Sequence, residues 1–143
     1  LYSKNNMLNV SISDYLNTLL SQIEKSYNSV SSKIVTDLKC DAINIDLDTA
    51  IPLGLIVNEL VTNSYKHAFN KADSGTISVI FSKNESNNTY TLKVSDNGKG
   101  FDVTKLKTHS LGMELIQMLA EQLSGKMIFK NEGGTLAEIT FAA

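Results

Sequence analysis

Arginine and tryptophan are absent from this 143-residue chain, proline and cysteine occur once each, and no apolar run approaches the ~20 residues of a membrane span. Each absence excludes something. With lysine carrying all the basic charge, the chain has no guanidinium fork for a phosphate. Any phosphate clamp within it must use ammonium groups, backbone N–H groups or a metal ion. The lone Cys40 rules out an internal disulfide, fits a reducing compartment, and reads as a small, buried or half-buried residue beside a strand. No cysteine–histidine cluster suggests structural zinc. Thirteen basic residues against fifteen acidic ones leave a net charge of −2, without the basic block that nucleic-acid binding needs. The composition leads us to expect a cytoplasmic-type soluble domain, with no nucleic-acid partner and no direct membrane contact by this segment.

What is present is periodicity. The length suits one domain that buries roughly 70% of its unfolded surface. The chain begins at Leu1 and not at methionine, as expected of a part excised from a longer protein. Residues 1–10 lack a pattern and read as a linker, leaving 11–143 as the domain. Ser11 or Ser13 caps a first helix with its stripe at Leu16, Leu19, Leu20, Ile23 and Tyr27. Strands follow at Lys33 to Lys39 and around Ile43, Ile45 and Leu47. A long helix then runs from Pro52 to Phe69, capped by Asp48 or Thr49, with Pro52 in its first turn. Asn70 to Gly75 reads as a polar turn. Ile77, Val79 and Phe81 alternate, as do Tyr90, Leu92 and Val94, which gives two antiparallel strands around a loop at Asn84 to Asn88. Phe101 to His109 reads as a loop. Leu111, Leu115, Leu119 and Leu123 mark a third helix ended by Gly125, and strands at Lys126 to Lys130 and Thr135 to Phe141 close the chain. This order predicts an α+β two-layer sandwich, a mixed and largely antiparallel sheet covered on one face by three helices.

Three motifs stand in order along these elements. On the long helix Glu59, Asn63, Lys66 and His67 share one polar edge, because they are four, three and one positions apart. Val94-Ser95-Asp96-Asn97-Gly98-Lys99-Gly100 takes a strand into an acid and two glycines. Ser110-Leu111-Gly112-Met113 opens the third helix. An ExxxN helix, then DxGxG, then a small-residue turn into a helix resembles the ATP-binding domain shared by sensor histidine kinases, anti-sigma-factor kinases, type II topoisomerases and mismatch-repair ATPases. Within that superfamily the chain is similar to histidine kinases of the HisKA_2 type. Leu53 to Asn63 and Lys66 to Phe69 resemble the N-box, Asp96 to Gly100 the G1 box, Ser110 to Ser124 the G2 box with its helix, and Gly134-Thr135 the final motif. Residues 1–30 resemble the exit from that family's dimerisation helices.

The resemblance implies a Bergerat-type ATP-binding fold and transfer of the ATP γ-phosphate to a histidine on a helical domain absent from this segment. From there the phosphoryl group passes to the receiver domain of a response regulator. It also implies that the isolated piece is a monomer and that Thr135 helps hold adenine through water.

The residue types make chemical sense in those roles. A carboxylate at Asp96 accepts from the exocyclic amine of adenine and repels the carbonyl of guanine. Gly98 and Gly100 allow close backbone approach to the base. Asn63 presents a neutral amide oxygen suited to Mg2+, Lys66 can neutralise a phosphate, the resemblance implies that His67 stands near the nucleotide, and Glu59 is placed to orient a water or to accept a proton from a nucleophile. Ser110, Leu111 and Gly112 put free N–H groups at a helix N-terminus, which favours phosphate. The loop carrying Lys105, Lys107 and His109 is expected to act as a lid. Two other readings stay open: an anti-sigma-factor-type serine kinase, and a regulatory ATP-binding module without transfer. A topoisomerase-like clamp needs a transducer domain, for which the chain has no room. Neither a P-loop nor the HRD set of protein kinases is present.

Overall fold

The computed structural model describes residues 8–28, 33–69, 74–99, 111–131 and 133–143. Its elements in order are β1 (Asn9–Ser11), α1 (Ile12–Tyr27), β2 (Lys33–Cys40), β3 (Asn44–Asp46), α2 (Leu47–His67), β4 (Ser74–Asn84), β5 (Thr89–Asp96), α3 (Leu111–Gln122), β6 (Lys126–Asn131) and β7 (Thr135–Ala142). Five strands form one sheet in the order β2-β4-β5-β7-β6. The β2–β4 pair is parallel and the other three are antiparallel, so the sheet is mixed as expected.

Alternation sorts the sheet into two faces. Ile77, Val79 and Phe81 of β4, Leu92 and Val94 of β5, and Ala137, Ile139 and Phe141 of β7 are buried beneath the helices. The rings of Phe81, Tyr90 and Phe141 follow one another at centroid distances of 5.2 and 5.5 Å. Between those positions stand polar residues such as Ser78, Ser95 and the Lys93–Glu138 ion pair, at 3.5 Å. Asp96 is paired across from Ile77, so its side chain belongs to the helix-facing row.

Both long helices start on a carboxylate or hydroxyl cap. Ser11 Oγ accepts from the Asp14 N–H at 3.3 Å, and Asp46 Oδ1 accepts from the Thr49 N–H at 2.8 Å. The second cap corrects the expected start of α2. Asp46, not Asp48 or Thr49, is the cap, and Pro52 lies in the second turn, where it withholds an N–H from the helix ladder. The helix continues through it because Ala50, Pro52 and Leu53 are all buried. On α1 the stripe is Ile12, Leu16, Leu20 and Ile23; Tyr27 is instead half-exposed and stacks on Tyr65 of α2, with centroids 5.4 Å apart.

Three further expectations are corrected. Asn9 and Val10 are not linker, because β1 pairs antiparallel with β3 and the Leu47 N–H donates to the Leu8 carbonyl at 3.0 Å. Residues 1–7 lie outside the described residues. Ser74 and Gly75 belong to β4 and not to a turn. In α3 the buried face is Ile116, Leu119 and Ala120, while Leu111 is 82% exposed. Of the leucine repeat, Leu119 is in the core and Leu115 and Leu123 pack against it, while Leu111, three steps of about 40° from Leu123, is turned out of that face. Among the described residues no helix is long and apolar enough to cross a membrane.

Candidate functional site

The site is built where β5 ends against α2. Asp96 is 8% exposed, and three donors converge on its carboxylate. Oδ1 accepts from the Gly98 N–H at 3.0 Å and from the Thr135 N–H at 3.2 Å; Oδ2 accepts from Ser64 Oγ at 3.0 Å. A carboxylate has about four acceptor sites, so among the described residues one, on Oδ2, remains for a ligand. The backbone around it is pinned from two sides. The Asn97 N–H donates to the Thr76 carbonyl at 3.3 Å while the Thr76 N–H donates to Asn97 Oδ1 at 2.9 Å. The Lys99 N–H donates to the Ala68 carbonyl at 2.9 Å.

Two glycines make this closeness possible. A β-carbon on Gly98 would collide with the Ala68 carbonyl oxygen. Gly134 has φ +137° and packs against the Asp96 carbonyl, where an L side chain would be both strained and obstructed.

A cavity of about 490 Å³ opens beside Asp96, within the size range of small-molecule sites. Of the residues singled out in the sequence, Glu59, Asn63, Lys66, His67, Asp96, Gly112 and Thr135 line it. Its walls also include Leu60, Val94, Met113, Phe129 and Ala137, an apolar set suited to a flat ring. At the opposite wall the first turn of α3 meets α2: a β-carbon on Gly112 would stand 2.8 Å from Glu59 Oε2 and 4.0 Å from Asn63 Nδ2. The cavity therefore has an acceptor buried at one wall, and an acid, an amide and a helix N-terminus at another.

Not every expected residue lies there. Leu111 points to solvent, and Gly98 supports Asp96 without lining the cavity. Gly100, Ser110 and the Phe101 to His109 loop, with Lys105, Lys107 and His109, lie outside the described residues. Ser64 was missed by the sequence reading. Its signal is a hydroxyl in the middle of the buried face of α2, among Val57, Leu60, Val61 and Ala68, where a polar group needs a partner.

Among the described residues no three histidine, cysteine, aspartate or glutamate side chains gather as a metal cluster. Magnesium commonly needs one or two protein oxygens and takes the rest from phosphate and water, so Asn63 and Glu59, one helical turn apart, are a fitting donor set.

Comparison with known proteins identifies the fold and the family. The fold matches that of the Erythrobacter litoralis EL346 blue-light activated histidine kinase, with a TM-score of 0.81 at 23% identity, covering 92% of this chain and 45% of that one. In sequence the chain is 27% identical over 130 residues to the nitrate/nitrite sensor protein NarQ of Escherichia coli K12, covering 90% of this chain and 22% of NarQ. It is 26% identical over 129 residues to the blue-light-activated histidine kinase 2 of Erythrobacter litoralis, covering 87% of this chain and 37% of the relative. The chain thus spans well under half the length of these two relatives. Residues 48–143, from the first turn of α2 to the end of β7, match the model of the histidine kinase-, DNA gyrase B- and HSP90-like ATPases, and the chain belongs to that family.

Proposed function

We propose that this chain is the ATP-binding catalytic unit of a two-component sensor histidine kinase. The observation that carries the reading is the single cavity joining a buried, three-fold-braced carboxylate to the Glu59–Asn63 edge of α2 and the N-terminus of α3. The relatives are named as a nitrate/nitrite sensor and a histidine kinase, which supports that class over the serine-kinase and regulatory alternatives.

Adenine lies between the apolar walls, with its amine donating to the open acceptor site of Asp96 and with Thr135 beside it. The phosphates extend toward Asn63, Lys66, His67 and Gly112. There the N–H groups of the first turn of α3 and the Lys66 ammonium offset negative charge, in a chain with no arginine to do so. Bound Mg2+, held by Asn63 and supported by Glu59, would supply the remaining charge neutralisation.

In the transfer, the imidazole nitrogen of a histidine on a partner helical domain bonds to the γ-phosphorus. The bond from that phosphorus to the β–γ bridging oxygen breaks, and ADP leaves. The attack uses the lone pair of the unprotonated ring nitrogen, and the proton on the other ring nitrogen passes to Glu59. The transition state is loose, so the chain's contribution is positioning and charge neutralisation. The phosphohistidine then supplies a receiver-domain aspartate. We place the domain in the cytoplasm, a compartment that suits its single free thiol.

The test is incubation of the intact parent protein with γ-labelled ATP and magnesium. Retained label that is lost in acid and kept in alkali is the expected phosphohistidine. Acid-stable label, or none despite tight ATP binding, would overturn the reading.

A further inference from the structure

Serine and threonine on a helix commonly return their hydroxyl to the carbonyl four residues back. Ser26 does so to Gln22 at 3.1 Å, and Thr62 to Asn58 at 2.7 Å. Ser64 does not: its hydroxyl donates across the core to Asp96 Oδ2 at 3.0 Å, in a residue only 8% exposed and otherwise surrounded by the apolar face of α2. Alanine would fill that position at no desolvation cost, so the hydroxyl has to be accounted for by its partner.

The geometry points to Ser64 as a specificity-determining residue for the base of the nucleotide. A hydroxyl has one proton and two lone pairs. The proton of Ser64 is committed to Asp96, and both residues line the same cavity, so together they offer a ligand acceptors and no donor. Such an edge takes a ring bearing an amine and rejects one bearing a carbonyl, whose lone pairs would face lone pairs. The bond also fixes which Asp96 site stays open, since Gly98 and Thr135 hold Oδ1 and Ser64 holds one site of Oδ2. Removing the hydroxyl frees Oδ2 to turn and leaves space for a water, which can donate to a carbonyl. This inference rests on the adenine reading proposed above and adds to it a second residue that sets the selectivity.

The experiment is calorimetric titration of this chain with ATP and separately with inosine triphosphate, which has a carbonyl in place of the amine. Ser64→Ala is expected to lower the preference for ATP over inosine triphosphate at least about fivefold. Ser64→Cys, close in shape but a weak donor, is read the same way should the alanine variant not fold, and is expected to lower the preference in the same direction. Equal losses for both nucleotides, or an unchanged ratio, would leave Ser64 a packing residue and overturn the inference while the adenine reading stands. Failure of the unaltered chain to prefer ATP would overturn the adenine reading itself, and this inference with it.

Discussion

Gly112 and Glu59 come close because the glycine has no side chain: a β-carbon on it would lie 2.8 Å from Oε2 of the acid. The N-terminus of α3 and the middle of α2 meet at this point, on the side of the cavity where we place the phosphates. Gly112→Val is expected to push the two elements apart by a fraction of an ångström to about an ångström, which can cost about 10²-fold in transfer. Nucleotide binding, anchored at Asp96, should fall far less. Parallel measurement of ADP affinity and of phosphorylation of the intact parent protein separates the two effects.

Asp96 accepts from Ser64 of α2, from Gly98 and from Thr135 of β7. Asp96→Ala strands the Ser64 hydroxyl and the Gly98 and Thr135 N–H groups. The cost is expected at roughly 1–3 kcal/mol of stability. ADP affinity should drop by at least about 10²-fold, because the amine of the base would lose its only charged acceptor. Asn63→Ala, on the same cavity but off this network, should retain magnesium-free ADP binding and lose the gain that magnesium provides. Denaturant unfolding and calorimetry with and without magnesium check both variants; wild-type ADP affinity in Asp96→Ala would remove Asp96 from the adenine site.

Much of this arrangement is legible in the sequence where one element carries its own pattern. The polar edge of α2 follows from helical spacing alone, and the structure places its four residues around one cavity. Asp96 could be found because an alternating strand runs into it. The parts that escaped depend on distant partners. β1 is three residues long, too short to alternate, and exists because β3 stands beside it. Pro52 reads as a helix start until Asp46, six residues earlier, takes the Thr49 N–H. Ser64 looks like one more small residue until β5 brings a carboxylate to it. Leu111 looks like core in the sequence yet faces solvent, although Leu115, Leu119 and Leu123 of the same repeat lie in or against the core.

Glu59→Gln tests the proton acceptor separately from the shape of the site. The amide keeps the volume beside Gly112 but cannot take the proton of an attacking imidazole. Transfer in the intact protein is expected to fall about 10²- to 10⁴-fold, the usual contribution of a positioned base, with ADP affinity nearly unchanged. A matching fall in ADP affinity would make Glu59 a binding residue and not a base.

The fold also carries a pH dependence, through Cys40 on β2 and Tyr65 on α2. Burial first, and the Asp41 carboxylate second, push the Cys40 thiol up from 9.0 to about 11. Burial, with the Glu24 carboxylate behind it, pushes the Tyr65 phenol up from 10.0 to about 12, outweighing the opposing hydrogen bond with Asn28. In both cases the folded chain holds its proton more tightly than the unfolded chain does. Their contribution is therefore complete below the ordinary values and is lost as pH rises, between 9.0 and about 11 for Cys40 and between 10.0 and about 12 for Tyr65. Unfolding curves taken across that range should show falling stability, with a shallower fall at its lower end in Cys40→Ala. The same shift slows the thiol. At about pH 8 the native chain has about a hundredfold less thiolate than a free cysteine. The higher basicity of that thiolate recovers about tenfold of the rate, so labelling should run about tenfold slower than in the denatured chain. Equal rates in the native and denatured chain would place Cys40 in open solvent and remove its share of the alkaline transition.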